Sequence, residues 1–265
     1  MDIASPTSTD LFLLTLQAYQ ELQAGGQPSG PYAPQQGSRV EMQPAFSQQG
    51  FLQLGLAEDG LPLTIDLYDA SPGPLLVAGD ARTGKTRLLQ SLAHATGRLD
   101  PGDIQFGVLT PFPEEWQALD ALPGNLGVWP TYHASAREFL DRMLSWSKAL
   151  PESRQIVVLF IDALELLDLQ DVHLRDGLYW LLRNGPGRQI WPVVAANPGR
   201  LPRLQLWLDF FSTRILAPVR QPQVAERLLD APATVLGDLM PGRQFVLSLP
   251  DSWLVFRPVP QAGNQ

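Results

Sequence analysis

The segment "PLLVAGDARTGKTRLL" (74–89) constrains this chain more than any other. A short apolar run ends at Ala78. The next eight residues, Gly79, Asp80, Ala81, Arg82, Thr83, Gly84, Lys85 and Thr86, satisfy G-x-x-x-x-G-K-[ST], and "KTRLLQSLAHA" continues at helical spacing. Glycines let such a loop curl so that successive N–H groups point inward at phosphate oxygens, while the helix N-terminus adds its positive dipole end. A random match in a chain of this composition has odds on the order of one in a thousand. Lys85 is one of only two lysines, against 17 arginines. Residues 79–86, with Arg87 behind them, form the candidate nucleotide-binding set, in which Lys85 bridges β- and γ-phosphates and the Thr86 hydroxyl binds Mg²⁺.

A phosphate loop needs a carboxylate for its metal. "IVVLFID" (156–162) offers one, because an apolar run reads as a buried central strand and Asp162 emerges at its carboxyl end, where open α/β sheets bind ligands. A strand-end Asp capping the next helix is the competing reading. With the loop upstream, Asp162 is taken as the metal carboxylate beside Thr86.

Short apolar runs alternate with helical patterns from residue 51 onward, which predicts an α/β fold: a mainly parallel sheet with helices on both faces. Strands are expected at "FLQLGL", "LPLTIDL", "PLLVAG", "IQFGVLT", "QIVVLFID", "IWPVVAAN", "STRILAPV", "RQFVLSL" and "WLVFRPV"; helices are expected from Lys85, around 113–122, 134–149 and 203–210, and ahead of 183. Before this domain (51–258), residues 10–22 have the spacing of an amphipathic helix, a packing element or a tether for a protein partner. Residues 23–50, rich in Gln, Gly, Pro and Ser, read as a linker, so 1–50 is a helix plus linker; 259–265 is a tail.

No apolar run approaches the roughly 18 residues a spanning helix needs, "LFLLTL" (11–16) is too short for a secretory core, and cysteine is absent. The expectation is a cytoplasmic protein without membrane partners. A net charge of −8 argues against a surface that coats nucleic acid throughout. Yet from Arg183 to Arg220 there are six arginines and only Asp209 as an acid, either a solvated surface or a patch facing phosphates. His133 lacks ligand-spaced partners and reads as structural. The tryptophans, mostly within apolar runs, read as core or subunit packing.

In this order the segments resemble the FtsK/HerA group of DNA-pumping ATPases. "GLPLTIDLYDASPGPLLVAGDARTGKT" is similar to the family's G-x-P-x-x-x-D-L segment, strand and phosphate loop. "IWPVVAANPGR" resembles its sensor strand, with Asn197 at the polar position, and "FFSTRILAPVRQPQVAERLLD" its x-R-I-x-x-x-V strand and helix, so Arg214 falls on the family's arginine. "GDLMPGRQFVL" resembles its closing turn and hairpin. The resemblance implies a P-loop NTPase fold of the RecA-like (ASCE) kind, ATP and Mg²⁺ as ligands, and a homo-oligomeric ring, typically a hexamer, drawing double-stranded DNA through a pore. It implies catalytic roles for Lys85 and Asp162, a γ-phosphate- or water-sensing role for Asn197, and a reach for Arg214 to a neighbouring subunit's nucleotide.

Three positions depart from the pattern. Where the family carries a water-polarising Glu after the strand Asp, this chain has Ala163. Glu165 is the substitute candidate, but on a helix it would point about 300° around the axis from Asp162, which favours a surface or capping carboxylate. Arg82 occupies a loop position that is usually Gly, and "LTPF" (109–112) stands for Asp-Pro-Lys. Losing a water-orienting group slows hydrolysis by roughly 10²- to 10⁴-fold and leaves binding intact. Two readings therefore stand: an ATP-driven DNA motor with an atypical catalytic site, or a non-hydrolysing nucleotide-binding switch or scaffold.

Overall fold

The computed structural model describes residues 50–149, 154–167, 171–200, 204–229, 234–248 and 253–259. The expected helix at 10–22, the linker up to residue 49 and the tail from residue 260 lie outside them, and the described residues belong to one unit, Gln48–Gln265.

Among the described residues, ten strands form a single sheet: β1 (Phe51–Ala57), β2 (Pro62–Asp66), β3 (Leu75–Ala78), β4 (Ile104–Thr110), β5 (Asn125–Pro130), β6 (Ile156–Ile161), β7 (Ile190–Ala196), β8 (Thr213–Leu216), β9 (Phe245–Ser248) and β10 (Trp253–Arg257). Their order is β2-β1-β10-β9-β8-β3-β7-β6-β4-β5. The block β8-β3-β7-β6-β4-β5 is parallel throughout, and the β2-β1-β10-β9 wing joins β8 antiparallel. Parallel neighbours need crossovers, and α1 (Lys85–Thr96), α2 (Ala134–Lys148), α3 (Val172–Asn184) and α4 (Leu204–Leu208) lie in the connections between parallel strands, whereas α5 (Pro222–Leu229) and α6 (Thr234–Gly237) lie between the antiparallel pair β8 and β9.

Strand periodicity sorts the core into two layers. Leu75, Val77, Phe106, Val108, Val158, Phe160, Val193 and Ala195 pack with Leu88, Leu89 and Leu92 of α1 on one face. Leu76, Ala78, Leu109, Leu159, Ile161, Val194 and Ala196 pack with Phe139 and Leu140 of α2 and Leu174, Leu178, Leu181 and Leu182 of α3 on the other. β6 and β7 are buried along their whole length, as a sheet covered on both faces requires. The two layers press the carboxyl ends of β3, β6 and β7 together, and the candidate site sits there.

Some elements differ from expectation. The segment 113–122 forms a 3-10 helix, Pro113–Leu119, started by Pro113 at its first position. "NLGVWP" becomes β5, an edge strand with none of its residues fully buried, so its apolar signal is weak. The helix foreseen at 203–210 is the five-residue α4. His133 is the N-cap of α2, its Nδ1 accepting from the Ser135 N–H.

Candidate functional site

The loop between β3 and α1 has the conformation its glycines permit. Gly84 sits at φ 93° and caps α1; a Cβ there would lie 2.4 Å from the Gly242 Cα, so the turn after α6 is laid directly on the loop. The Gly242 N–H donates to the Thr83 carbonyl at 2.9 Å. Arg82 adopts φ 64° without being glycine, a left-handed backbone that raises the energy of an L residue by roughly 1 kcal/mol or more. Asp80 ties the loop to the segment after β8: its N–H donates to the Pro218 carbonyl at 3.0 Å and its Oδ2 accepts from the Arg220 N–H at 2.8 Å.

Lys85 folds back over the loop. Its Nζ donates to the Gly79 carbonyl at 2.9 Å and the Asp80 carbonyl at 2.7 Å. Burial lowers its pKa; the charges of Glu165, Asp162 and Asp80 oppose that, and Arg200 adds to it. One residue further on, the Thr86 Oγ1 donates at 3.1 Å to both Asp162 carboxylate oxygens, across 76 residues of sequence. Asp162 is 3% exposed. Burial pushes its carboxyl up to about 6 and the Glu115 charge pushes the same way; the Thr86 hydroxyl, the Trp116 indole and the Lys85 charge pull it back.

Ala163 takes a left-handed conformation (φ 59°, ψ 66°) before the 3-10 turn Leu164–Leu166. This breaks the helical geometry expected from the sequence and returns Glu165 to the site, where its Oε2 accepts from the Asn197 N–H at 3.0 Å. Its charge is the largest electrostatic influence on Lys85. Nothing in the sequence announces that kink, since alanine carries no preference for φ > 0. Asn197, 8% exposed, closes an Asx turn with its Oδ1 accepting from the Gly199 N–H at 3.1 Å, which leaves the Nδ2 amide as its donor.

Lys85, Thr86, Asp162, Glu165 and Asn197 are thus brought together. Arg214 is placed elsewhere: it lies on β8 beside Leu76, and its guanidinium donates to the Phe211 carbonyl at 3.2 Å and the Leu208 carbonyl at 3.3 Å. The arginine-rich stretch is divided. Arg200 and Arg220 line a cleft of about 620 Å³ with Arg82, Thr83 and Asn197, whereas Arg183 and Arg188 line a separate cavity of about 490 Å³ with Asp209. Sequence reasoning did not single out Glu115, Trp116 or Gly242 for the site, although Gly242 lies in the closing-turn segment; Arg200 was included in the basic stretch read as a possible phosphate-facing patch.

No protein-family model and no curated protein matches the sequence. Solved structures do match in fold. The Thermomonospora curvata EccC structure, ATPases 2 and 3 in complex with a signal sequence peptide, matches 99% of this chain at 14% identity and a TM-score of 0.68, and this chain spans 50% of that one. The pCW3 conjugation coupling protein TcpA, monomer form with ATPγS, matches over 79% of this chain and 66% of its own at 14% identity, TM-score 0.59. The genome packaging NTPase B204 of Sulfolobus turreted icosahedral virus 2, in complex with ATPγS, matches over 74% of this chain and all of its own at 10% identity, TM-score 0.53. The fold is therefore that of a P-loop NTPase.

The donor set fits Mg²⁺: one hydroxyl and one buried carboxylate, with no cluster of three metal-binding side chains among the described residues. Mg²⁺ is commonly held by so few protein groups, with phosphates and water completing its shell.

Proposed function

We propose that this chain binds Mg-ATP at residues 79–87 and hydrolyses it as an atypical ATPase of the FtsK/HerA type, in a homo-oligomeric ring that acts on double-stranded DNA in the cytoplasm. The observation that carries the nucleotide reading is the contact of Thr86 Oγ1 with both Asp162 oxygens, beside an ammonium group already folded over the loop. A carboxylate so deeply buried persists in its charged form where a cation compensates it.

Lys85 would exchange its two carbonyl bonds for β- and γ-phosphate oxygens, and Thr86 and Asp162 would hold Mg²⁺. Bound there, Mg²⁺ supplies charge neutralisation on the transferring phosphoryl group. Glu165 takes the water-orienting role that Ala163 cannot fill, supported by the Asn197 N–H that fixes its carboxylate. The Asn197 Nδ2 amide donates to the γ-phosphate or the attacking water. Arg214 would serve a neighbour's nucleotide within the ring by giving up its bonds to carbonyls 208 and 211. The DNA reading draws on the family resemblance and on the coupling protein and packaging NTPase among the fold neighbours.

One observation favours the second reading, a nucleotide-gated switch: the position after Asp162 is alanine. Steady-state Mg-ATP hydrolysis with and without double-stranded DNA separates the two, run beside Lys85→Ala and Glu165→Gln. DNA-stimulated turnover lost in Lys85→Ala and reduced roughly 10²-fold or more in Glu165→Gln is expected. ATP binding with no turnover under any condition would leave the switch.

A further inference from the structure

Two arginines of the basic stretch take no part in the phosphate-loop site. Arg183, in the last turn of α3, and Arg188, in the 3-10 turn Pro186–Arg188, line the cavity of about 490 Å³ together with Asp209 and Phe210. Pro74 borders it just before β3, Ser212 just before β8 and Arg188 two residues before β7, so it lies at the amino ends of three adjacent strands. The phosphate loop leaves the carboxyl end of the same β3. The two sites are therefore separated by four buried residues, and their linings share none.

The walls of this cavity are fixed by backbone groups. The Thr213 hydroxyl donates to the Pro72 carbonyl at 2.7 Å, which ties β8 to the turn before β3, and the Arg188 N–H donates to the Gly185 carbonyl at 2.7 Å. The charged side chains, by contrast, are not engaged. Among the described residues the ion pairs are Arg137–Asp171 and Arg175–Asp176, so neither Arg183 nor Arg188 is paired, although Asp209 shares the cavity with both. A cation at 183 offsets the negative end of α3. That does not account for a second arginine in the same concavity. Guanidinium forks match the oxygens of a phosphate group, which takes paired N–H bonds from them.

The rest of the lining narrows the ligand. Two arginines and one aspartate leave one net positive charge, which suits a phosphate monoester; a polyphosphate or a DNA backbone would bring several charges against Asp209. The volume lies in the range of small-molecule pockets and exceeds what a lone phosphate fills. Phe210 offers a ring backed by Tyr179, with centroids 5.2 Å apart and planes inclined by 22°. The Asp209 carboxylate accepts hydrogen bonds from hydroxyl or amino groups.

We propose that this cavity binds a nucleoside monophosphate, with the phosphate on Arg183 and Arg188, the nucleoside against Phe210, and a hydroxyl or amino group of the nucleoside donating to Asp209. The proposal is independent of the nucleotide reading at the phosphate loop, since the two linings have no residue in common.

The test titrates AMP, inorganic phosphate and adenosine calorimetrically into the full chain in EDTA. AMP should bind one to one and more tightly than either fragment. Arg183→Gln and Arg188→Gln should each weaken it roughly 10-fold or more, the worth of a hydrogen bond to a charged group, and Lys85→Ala should leave it unchanged. Phe210→Leu should weaken AMP and not phosphate. Absence of AMP binding at millimolar concentration would overturn the proposal. So would AMP binding that Lys85→Ala abolishes and the arginine variants keep, which places AMP at the phosphate loop. Phosphate binding as tightly as AMP would overturn a nucleoside ligand, and displacement of AMP by double-stranded DNA would assign the two arginines to DNA instead. If an arginine variant fails to fold, phenylglyoxal modification of the unsubstituted protein decides: AMP should protect Arg183 and Arg188, read by mass spectrometry, and unprotected arginines would overturn the site.

Discussion

Replacing Asp162 with asparagine should make the nucleotide-free protein more stable while destroying its metal site. The folded carboxyl is pushed up to about 6 from an ordinary 3.8, chiefly because burial penalises the charged form. A tenfold change in proton affinity is worth about 1.4 kcal/mol, so the ionised carboxylate destabilises the fold by up to about 3 kcal/mol at neutral pH. Because the folded-state value lies above the unfolded one, the folded protein binds more protons between the two. The contribution of this group to stability is therefore greatest below pH 3.8, falls as pH rises, and is fully lost above pH 6. Asparagine is close in shape, still accepts the Thr86 hydroxyl at its Oδ1, and never acquires the charge. The expected gain at pH 8 is about 1–3 kcal/mol, or roughly 2–12 °C in Tm for a domain of this size, measured by thermal unfolding in EDTA without nucleotide. The gap should shrink as pH is lowered from 6 toward 4, where the native carboxyl itself becomes neutral. A destabilised Asp162→Asn, or a gap of constant size from pH 8 to 4.5, would refute the reasoning that burial dominates at this carboxylate.

Gly84→Ala should lower stability by about 2 kcal/mol or more, read in urea unfolding, because it combines a left-handed backbone with a Cβ 2.4 Å from the Gly242 Cα. Arg200→Ala should weaken ATPγS binding roughly 10-fold, the worth of one hydrogen bond to a charged group, and ADP binding much less, since Arg200 lines the cleft beside Thr83 and Asn197; equilibrium titration of both nucleotides checks it. Arg214→Ala should lower Tm by a few degrees through loss of its bonds to carbonyls 208 and 211, with nucleotide binding by the isolated chain unchanged; calorimetry and titration on one preparation measure both.

Local chemistry made much of this protein readable without coordinates. The loop at 79–86 declares itself because phosphate binding needs glycines, a lysine and a hydroxyl at fixed spacing just after a strand, and those residues are contiguous. The β6 strand and Asp162 were legible because a fully buried parallel strand must be apolar throughout and must end where ligands bind. Strand-and-helix alternation gave the α/β class for the same reason. What the chain withheld depends on contacts between distant segments. The left-handed turn at Ala163, which swings Glu165 onto the Asn197 N–H, is held by packing and has no signature in alanine. Glu115, whose charge acts on Asp162, sits on a turn that the Gln90 side chain fastens to α1. Gly84 has no room for a Cβ because the Gly242 backbone, 158 residues away in sequence, lies against it. The arginines of 183–220 look like one basic stretch in sequence, yet the sheet sends Arg200 and Arg220 to the phosphate loop, Arg183 and Arg188 to another cavity, and Arg214 to backbone carbonyls. Periodicity and motif spacing report what a residue's neighbours in sequence require; which side chains converge on a buried carboxylate is decided by how the layers pack.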